Sequence, residues 1–132
     1  MTDHDIYLFQ IARQVSFNSD YHKVKIGSIL VYKKKIISVG SNSNKTHPLQ
    51  KQYDIYRNRK GLKHRIHAEI DAIIQCSKSD LNGAYLYNYR EDKDGNISNS
   101  RPCQACIHAL KDKGIKRIFY TTKEGYCMED LI

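Results

Sequence analysis

His67-Ala68-Glu69, read together with Pro102-Cys103-Gln104-Ala105-Cys106, decides how the rest of this chain is understood. One histidine and two cysteines make three ligands for a tetrahedral metal ion. Structural zinc sites usually close with four protein ligands, whereas catalytic ones leave a position for water. Glu69 stands two residues past His67, near enough to handle protons on that water without binding the metal itself. Two other readings of the cysteine pair fit less well. A zinc ribbon needs a second Cys-x-x-Cys, and the chain has none; a thioredoxin-like redox pair has no need of His67 and Glu69.

Working outward, the pattern puts these residues at helix starts. His67 opens a helix whose apolar face is Ile70, Ala72, Ile73 and Ile74, running to about Cys76 or Lys78. Pro102 is read as the first residue of another, with Cys103 and Cys106 three apart on its first turn and Gly114 closing it. Thiolates are favoured at such a start, because the helix dipole and its free N–H groups stabilise negative charge. Ala84 to Tyr89 and Ile115 to Thr122 read as strands beside these helices. Upstream, Asp3 to Ser16 is an amphipathic helix capped by Thr2 or Asp3. Lys23 to Tyr32 and Ile36 to Gly40 pair as an antiparallel hairpin around Lys33-Lys34-Lys35. Gly125 to Leu131 is the candidate fifth strand. Strands alternating with helices imply a mixed sheet of about five strands with helices on its faces, in a single domain, 1–132.

The charge is lopsided, with 22 Lys plus Arg against 14 Asp plus Glu and a net charge of +8. Such an excess fits anionic partners, nucleotides or nucleic acid first among them, although a solvated lysine-rich surface gives the same number. From Ser43 to Arg65 the excess is concentrated: Lys45, Lys51, Arg57, Arg59, Lys60, Lys63 and Arg65 stand against Asp54 alone, with Tyr53 and Tyr56 among them. A polar connection this long is usually functional or disordered. Here it leads directly into His67, contains a short helix near Leu49 to Arg59, and suits phosphate contact and base stacking. No apolar run approaches membrane-spanning length, which excludes a helical membrane protein. Met1-Thr2-Asp3-His4-Asp5 lacks the basic-then-apolar order of a signal peptide, so a cytoplasmic location is expected. Cys76 and Cys127 then read as plain thiols.

The motifs His67-Ala68-Glu69-Ile70-Asp71-Ala72, Ser100-Arg101-Pro102-Cys103-Gln104-Ala105-Cys106 and Gly114-Ile115-Lys116-Arg117 resemble those of the cytidine deaminase-like superfamily. His-x-Glu followed by Pro-Cys-x-x-Cys is the signature of its zinc nucleobase deaminases. Among its members the chain is most similar to small phage-type deoxycytidylate or cytidine deaminase-like proteins, over about Val24 to Thr122. The resemblance implies a three-layer α/β/α fold, one Zn2+ per chain and homo-oligomers with active sites near subunit interfaces. It implies His67, Cys103 and Cys106 as ligands, Glu69 as the catalytic proton carrier, and Asn42, Ala68, Ser100, Arg101 and Pro102 as substrate-binding candidates. Asn42 enters because Gly40-Ser41-Asn42 resembles the Gly-x-Asn that ends the second strand in relatives; an ordinary loop asparagine is its alternative.

Substrate is less determined. A histidine as first ligand is shared by deoxycytidylate, cytosine, guanine, tRNA-adenosine and polynucleotide-cytidine deaminases. The basic segment favours a phosphate-bearing substrate, and the short stretch after Thr122 lacks the long C-terminal helix of many tRNA-adenosine relatives. The expected reaction is hydrolysis of a cytosine base in dCMP or a similar nucleotide, releasing ammonia. The alternative is a deaminase of exposed bases in single-stranded DNA or RNA; a non-enzymatic zinc module is a distant third. Arg101 is equally a phosphate contact or a structural ion pair. His47, His64 and His108 read as ordinary structural residues. Tyr85, Tyr87 and Tyr89 share a packing face, and Tyr120 and Tyr126 are candidates to border the pocket.

Overall fold

The computed structural model describes residues 1–57 and 61–131, so Arg59 and Lys60 of the basic segment lie outside the described residues. In chain order the elements are helix α1 (Asp3–Ser16), strands β1 (Ile26–Tyr32) and β2 (Lys35–Ser41), helix α2 (Pro48–Tyr53) with a 3-10 turn at Asp54–Arg57, helix α3 (Ala68–Gln75), strand β3 (Tyr85–Arg90), helix α4 (Gln104–Asp112), and strands β4 (Arg117–Thr122) and β5 (Gly125–Asp130). The strands form one sheet in the order β2-β1-β3-β4-β5. Only β3 and β4 pair in parallel; the other neighbours are antiparallel. The expected three-layer α/β/α architecture is the one observed.

Local chemistry explains the framework. Thr2 and Asp5 form a reciprocal capping box at the start of α1, each side chain accepting from the other's backbone N–H. The β1–β2 turn is two residues, not three: Tyr32 pairs with Lys35, and Lys33 and Lys34 carry φ of 49° and 67°. Positive φ at both positions is the type I′ turn that matches strand twist. One sheet face, with Ile29, Val31, Tyr87, Tyr89 and Phe119, packs against Leu8, Phe9 and Ala12 of α1. The other face, with Leu30, Leu86 and Ile118, packs against Ile70 and Ile73 of α3 and Ala109 and Leu110 of α4. Tyr87 and Tyr89 therefore do share a packing face, with Tyr87 stacked on Phe119 at 4.2 Å between ring centres.

Two glycines set the helix-to-sheet spacing. A Cβ on Gly27 would lie far inside contact distance of the Ala12 carbonyl of α1. One on Gly40 would collide with the Ala68 carbonyl and the Ala72 nitrogen of α3. The sheet end that carries the start of β1 and the ends of β2 and β3 is thereby brought beside the N-termini of α3 and α4. In open α/β sheets ligands bind in this kind of place, outside the carboxyl ends of strands. No helix among the described residues is long and apolar enough to cross a membrane.

Candidate active site

The helices α3 and α4 both begin with an unusual cap. An N-cap is normally Ser, Thr, Asp or Asn, whose side chain accepts from the first-turn N–H groups. Here the caps are His67 and Cys103, and neither side chain makes a capping bond. Both are turned toward each other instead: the Sγ atoms of Cys103 and Cys106 each lie 3.4 Å from His67 Nδ1. The three donor atoms fall within 4.8 Å of one another. Sulfur and nitrogen ligands of one tetrahedral zinc stand roughly 3.6 Å apart, from Zn–S of about 2.3 Å and Zn–N of about 2.1 Å. The group fits one metal ion. The helix at this site begins at Gln104, so Pro102 precedes it by two residues instead of opening it, and Cys106 occupies the third helical position.

The electrostatics belong to a metal site. The Cys103 thiol is lowered to about 4, chiefly by a hydrogen bond with Cys106 and then, against burial, by His67. Cys106, fully buried, is pushed up by the same bond to Cys103 and by burial. Both cysteines bind a metal as thiolates, so metal binding at this pair releases protons. Burial opposes charge on His67, but the Cys103 and Glu69 charges outweigh it and raise its pKa. Glu69, 3% exposed, is raised by burial, with His67 opposing. A carboxylate raised in this way is a stronger base than an exposed one.

A cavity of about 560 Å³ opens onto this group, lined by His67, Glu69 and Cys103 at its floor. Its wall carries Arg57, Lys63, His64, Arg65, Arg90 and Arg101. No acidic residue except Glu69 lines it among the described residues.

Residues 2–122 match the family described as the cytidine and deoxycytidylate deaminase zinc-binding region. The chain belongs to this deaminase family. It is similar to the deoxycytidylate deaminase of Mycobacterium phage D29, at 28% identity over 130 residues, covering 89% of this chain and 94% of that one. Its fold is similar to the dCMP deaminase from the cyanophage S-TIM5 (TM-score 0.64, 20% identity, 92% of this chain and 86% of that one). It is also similar to the cytidine deaminase from Burkholderia pseudomallei (TM-score 0.67, 16% identity, 99% and 94%). The S-TIM5 protein has also been solved in complex with dCMP and dUMP. The deaminase's cofactor is zinc, for which the His67–Cys103–Cys106 group has the donors and the spacing.

The deaminase places its other sequence-predicted residues unequally. Ala68 is the first residue of α3, fully buried and in the cavity lining. Asn42 lines the cavity, but its amide braces the approach to β1, accepting from Ile26 N–H at 2.9 Å and donating to the Val24 carbonyl at 2.7 Å. Ser100 also lines it, with its hydroxyl committed to Thr121 and the Asn88 carbonyl. Arg101 makes a two-pronged ion pair with Glu129 of β5, at 2.9 and 3.0 Å. Pro102 is buried and outside the lining; Tyr120 and Tyr126, both partly exposed, are outside it too, and Tyr126 stacks on Phe9 of α1 instead. Tyr53 and Tyr56 are not a stacking platform: Tyr53 is buried with its hydroxyl on Asp112, and Tyr56 lies flat on His108 at 3.6 Å. His47 caps α2.

Several cavity residues escape the sequence reading. Arg90 ends β3, and only its pairing with Ile26 puts it beside the site. Tyr21 and Asn99 enter from loops. Gln50 is fully buried and accepts from the His67 N–H at 2.9 Å, supporting a ligand from 17 positions away. Asn88, on β3, is held by Ser28 and the Ser100 carbonyl, and its amide favours the charged form of Glu69.

Proposed function

We propose that this deaminase hydrolyses the cytosine base of a free pyrimidine nucleotide, dCMP or a similar 5′-monophosphate, to the uracil nucleotide and ammonia. The observation that carries the reading is a single cavity pairing the His67–Cys103–Cys106 group and Glu69 with a wall that carries five Lys and Arg residues and, among the described residues, no further acidic one. A base fits against the floor while a phosphate meets the wall. The relatives support it: the phage D29 protein is a deoxycytidylate deaminase, and the S-TIM5 enzyme binds dCMP and dUMP.

In this reading His67, Cys103 and Cys106 are the zinc ligands. Zinc held there supplies the Lewis acid that makes water a nucleophile at neutral pH. Glu69 takes one proton from that water and passes it to the ring nitrogen N3, and then carries the second, from the new C4 hydroxyl, to the departing amine. Burial suits it to the first of these tasks, because a carboxylate with a raised pKa is a stronger base toward the water's proton. Water adds at C4, the C4–N4 bond breaks, and ammonia leaves. Ala68, as first residue of α3, offers an N–H without an intrahelical partner to the base. Asn42 and Ser100 shape the cavity through the loops they brace, and Arg101 serves the phosphate only by leaving Glu129.

Deamination of a base within a polynucleotide is the second reading. It is less favoured because the aromatics of the basic segment turn toward α4, and Tyr21 is the only aromatic lining the cavity among the described residues. A substrate panel tests this. Zinc-loaded protein is expected to release ammonia from dCMP far faster than from deoxycytidine, and not from a single-stranded oligonucleotide. Turnover of the oligonucleotide without turnover of dCMP would reverse the order of the two readings.

A further inference from the structure

One buried carboxylate in the segment before His67 is used by nothing described so far. Asp54 is 3% exposed, and removing a carboxylate from water is unfavourable unless every lone pair is met. Its Oδ1 accepts from Gln50 Nε2 at 2.8 Å and from Arg57 at 3.4 Å; its Oδ2 lies 2.7 Å from His64 Nδ1. The other end of the Gln50 amide accepts from the His67 backbone N–H. A single chain of hydrogen bonds thus runs from the metal-ligand backbone through Gln50 and Asp54 to two residues of the cavity wall.

Stability alone does not call for this arrangement. A buried ion pair can often be replaced by apolar residues of similar shape at little cost. The chain also accepts φ of +49° at His64, an uncommon backbone for a residue that is not glycine, and such positions persist where their surroundings over-determine them. What the strained position achieves is contact between the imidazole and Asp54 at the edge of the cavity. Because the carboxylate can only accept, Nδ1 carries the proton, which leaves Nε2 as the ring's other hydrogen-bonding atom.

We propose that Asp54 and Gln50 are positioning residues that hold Arg57 and His64 as a clamp for the substrate's 5′-phosphate, in register with the His67 backbone and so with Glu69. The phosphate is the charge that the clamp reads, and the shared network fixes its distance from the reacting end of the base. This rests on the nucleotide reading above.

The test compares zinc-loaded wild type with Asp54→Asn and His64→Asn. The first is close to isosteric. The second keeps a residue type tolerant of positive φ and alters only a partly exposed ring. Steady-state kinetics with dCMP and deoxycytidine are combined with calorimetric binding of inorganic phosphate and zinc analysis. Both variants are expected to lower the preference for dCMP over deoxycytidine about tenfold or more, through KM for dCMP, with zinc content unchanged and phosphate binding weakened by a similar factor. Equal losses on both substrates, or an unchanged preference, would overturn the clamp and leave Asp54 a fold residue. If wild type ignores dCMP while phosphate binding still depends on Asp54 and His64, the clamp stands and the nucleotide reading falls. Turnover of dCMP with phosphate binding indifferent to both residues would sink the clamp alone.

Discussion

Glu69 is a carboxylate where charge is unfavourable, buried beside a thiolate, and its raised pKa follows from that burial. Glu69→Gln keeps the shape and removes the proton carrier, so kcat should fall by roughly 10²–10⁴ with zinc content unchanged, as read by ammonia release and metal analysis. Cys106→Ala should instead lose zinc, because two donors do not make a tight site. Asp54 carries a pH signature. Burial works against its charge, yet hydrogen bonds from His64, Gln50 and Arg57 hold its pKa below the usual value. A carboxyl with a depressed folded pKa stabilises the fold above its unfolded pKa of about 3.9 and loses that contribution as pH falls through the folded value. Wild type should therefore lose more of its urea midpoint than Asp54→Asn does between about pH 6 and about pH 3. His67, Glu69, Cys103 and Cys106 were legible in the sequence because two short spacings define them. Gln50, Asp54 and Arg90 were not, because their roles depend on contacts that only the folded segment creates.

At the scale of elements, close approach of helix to sheet is the feature on which the site depends. Gly40→Ala and Gly27→Ala should each lower the thermal midpoint, by an amount equivalent to about 1–3 kcal/mol, since the added methyl meets backbone rather than a yielding side chain. Only Gly40→Ala should also weaken zinc retention, because it displaces α3 and with it His67, whereas Gly27 faces α1 on the opposite layer. Equal zinc retention in the two variants would show that α3 tolerates the shift. The β1–β2 turn offers the converse change. Replacing Lys33-Lys34 with Asn-Gly should raise the thermal midpoint, because those residues reach positive φ with less strain. The strands and helices were largely legible from apolar periodicity and from Gly114. The start of α4 was misplaced because proline's preference for a first helical position competed with a cap role that Cys103 fills, and a cysteine cap has no ordinary sequence signal.

Across the whole molecule, the net charge of +8 and the concentration of cations around one cavity bear on how substrate arrives. A mononucleotide brings a single phosphate, so KM for dCMP should rise less than about fivefold between about 50 and about 200 mM salt. A polynucleotide-binding enzyme would lose affinity far more steeply over the same range through counterion release. The most direct check on the whole account is the identity of the product formed from dCMP. Zinc-loaded protein, chelator-stripped protein and zinc-loaded Glu69→Gln would be incubated with dCMP, with ammonia and nucleotide mass followed together. The account predicts dUMP and equimolar ammonia from the zinc-loaded wild type, with neither product at a comparable rate from the other two. Unchanged dCMP in the zinc-loaded wild type, or equal turnover by Glu69→Gln, would contradict it.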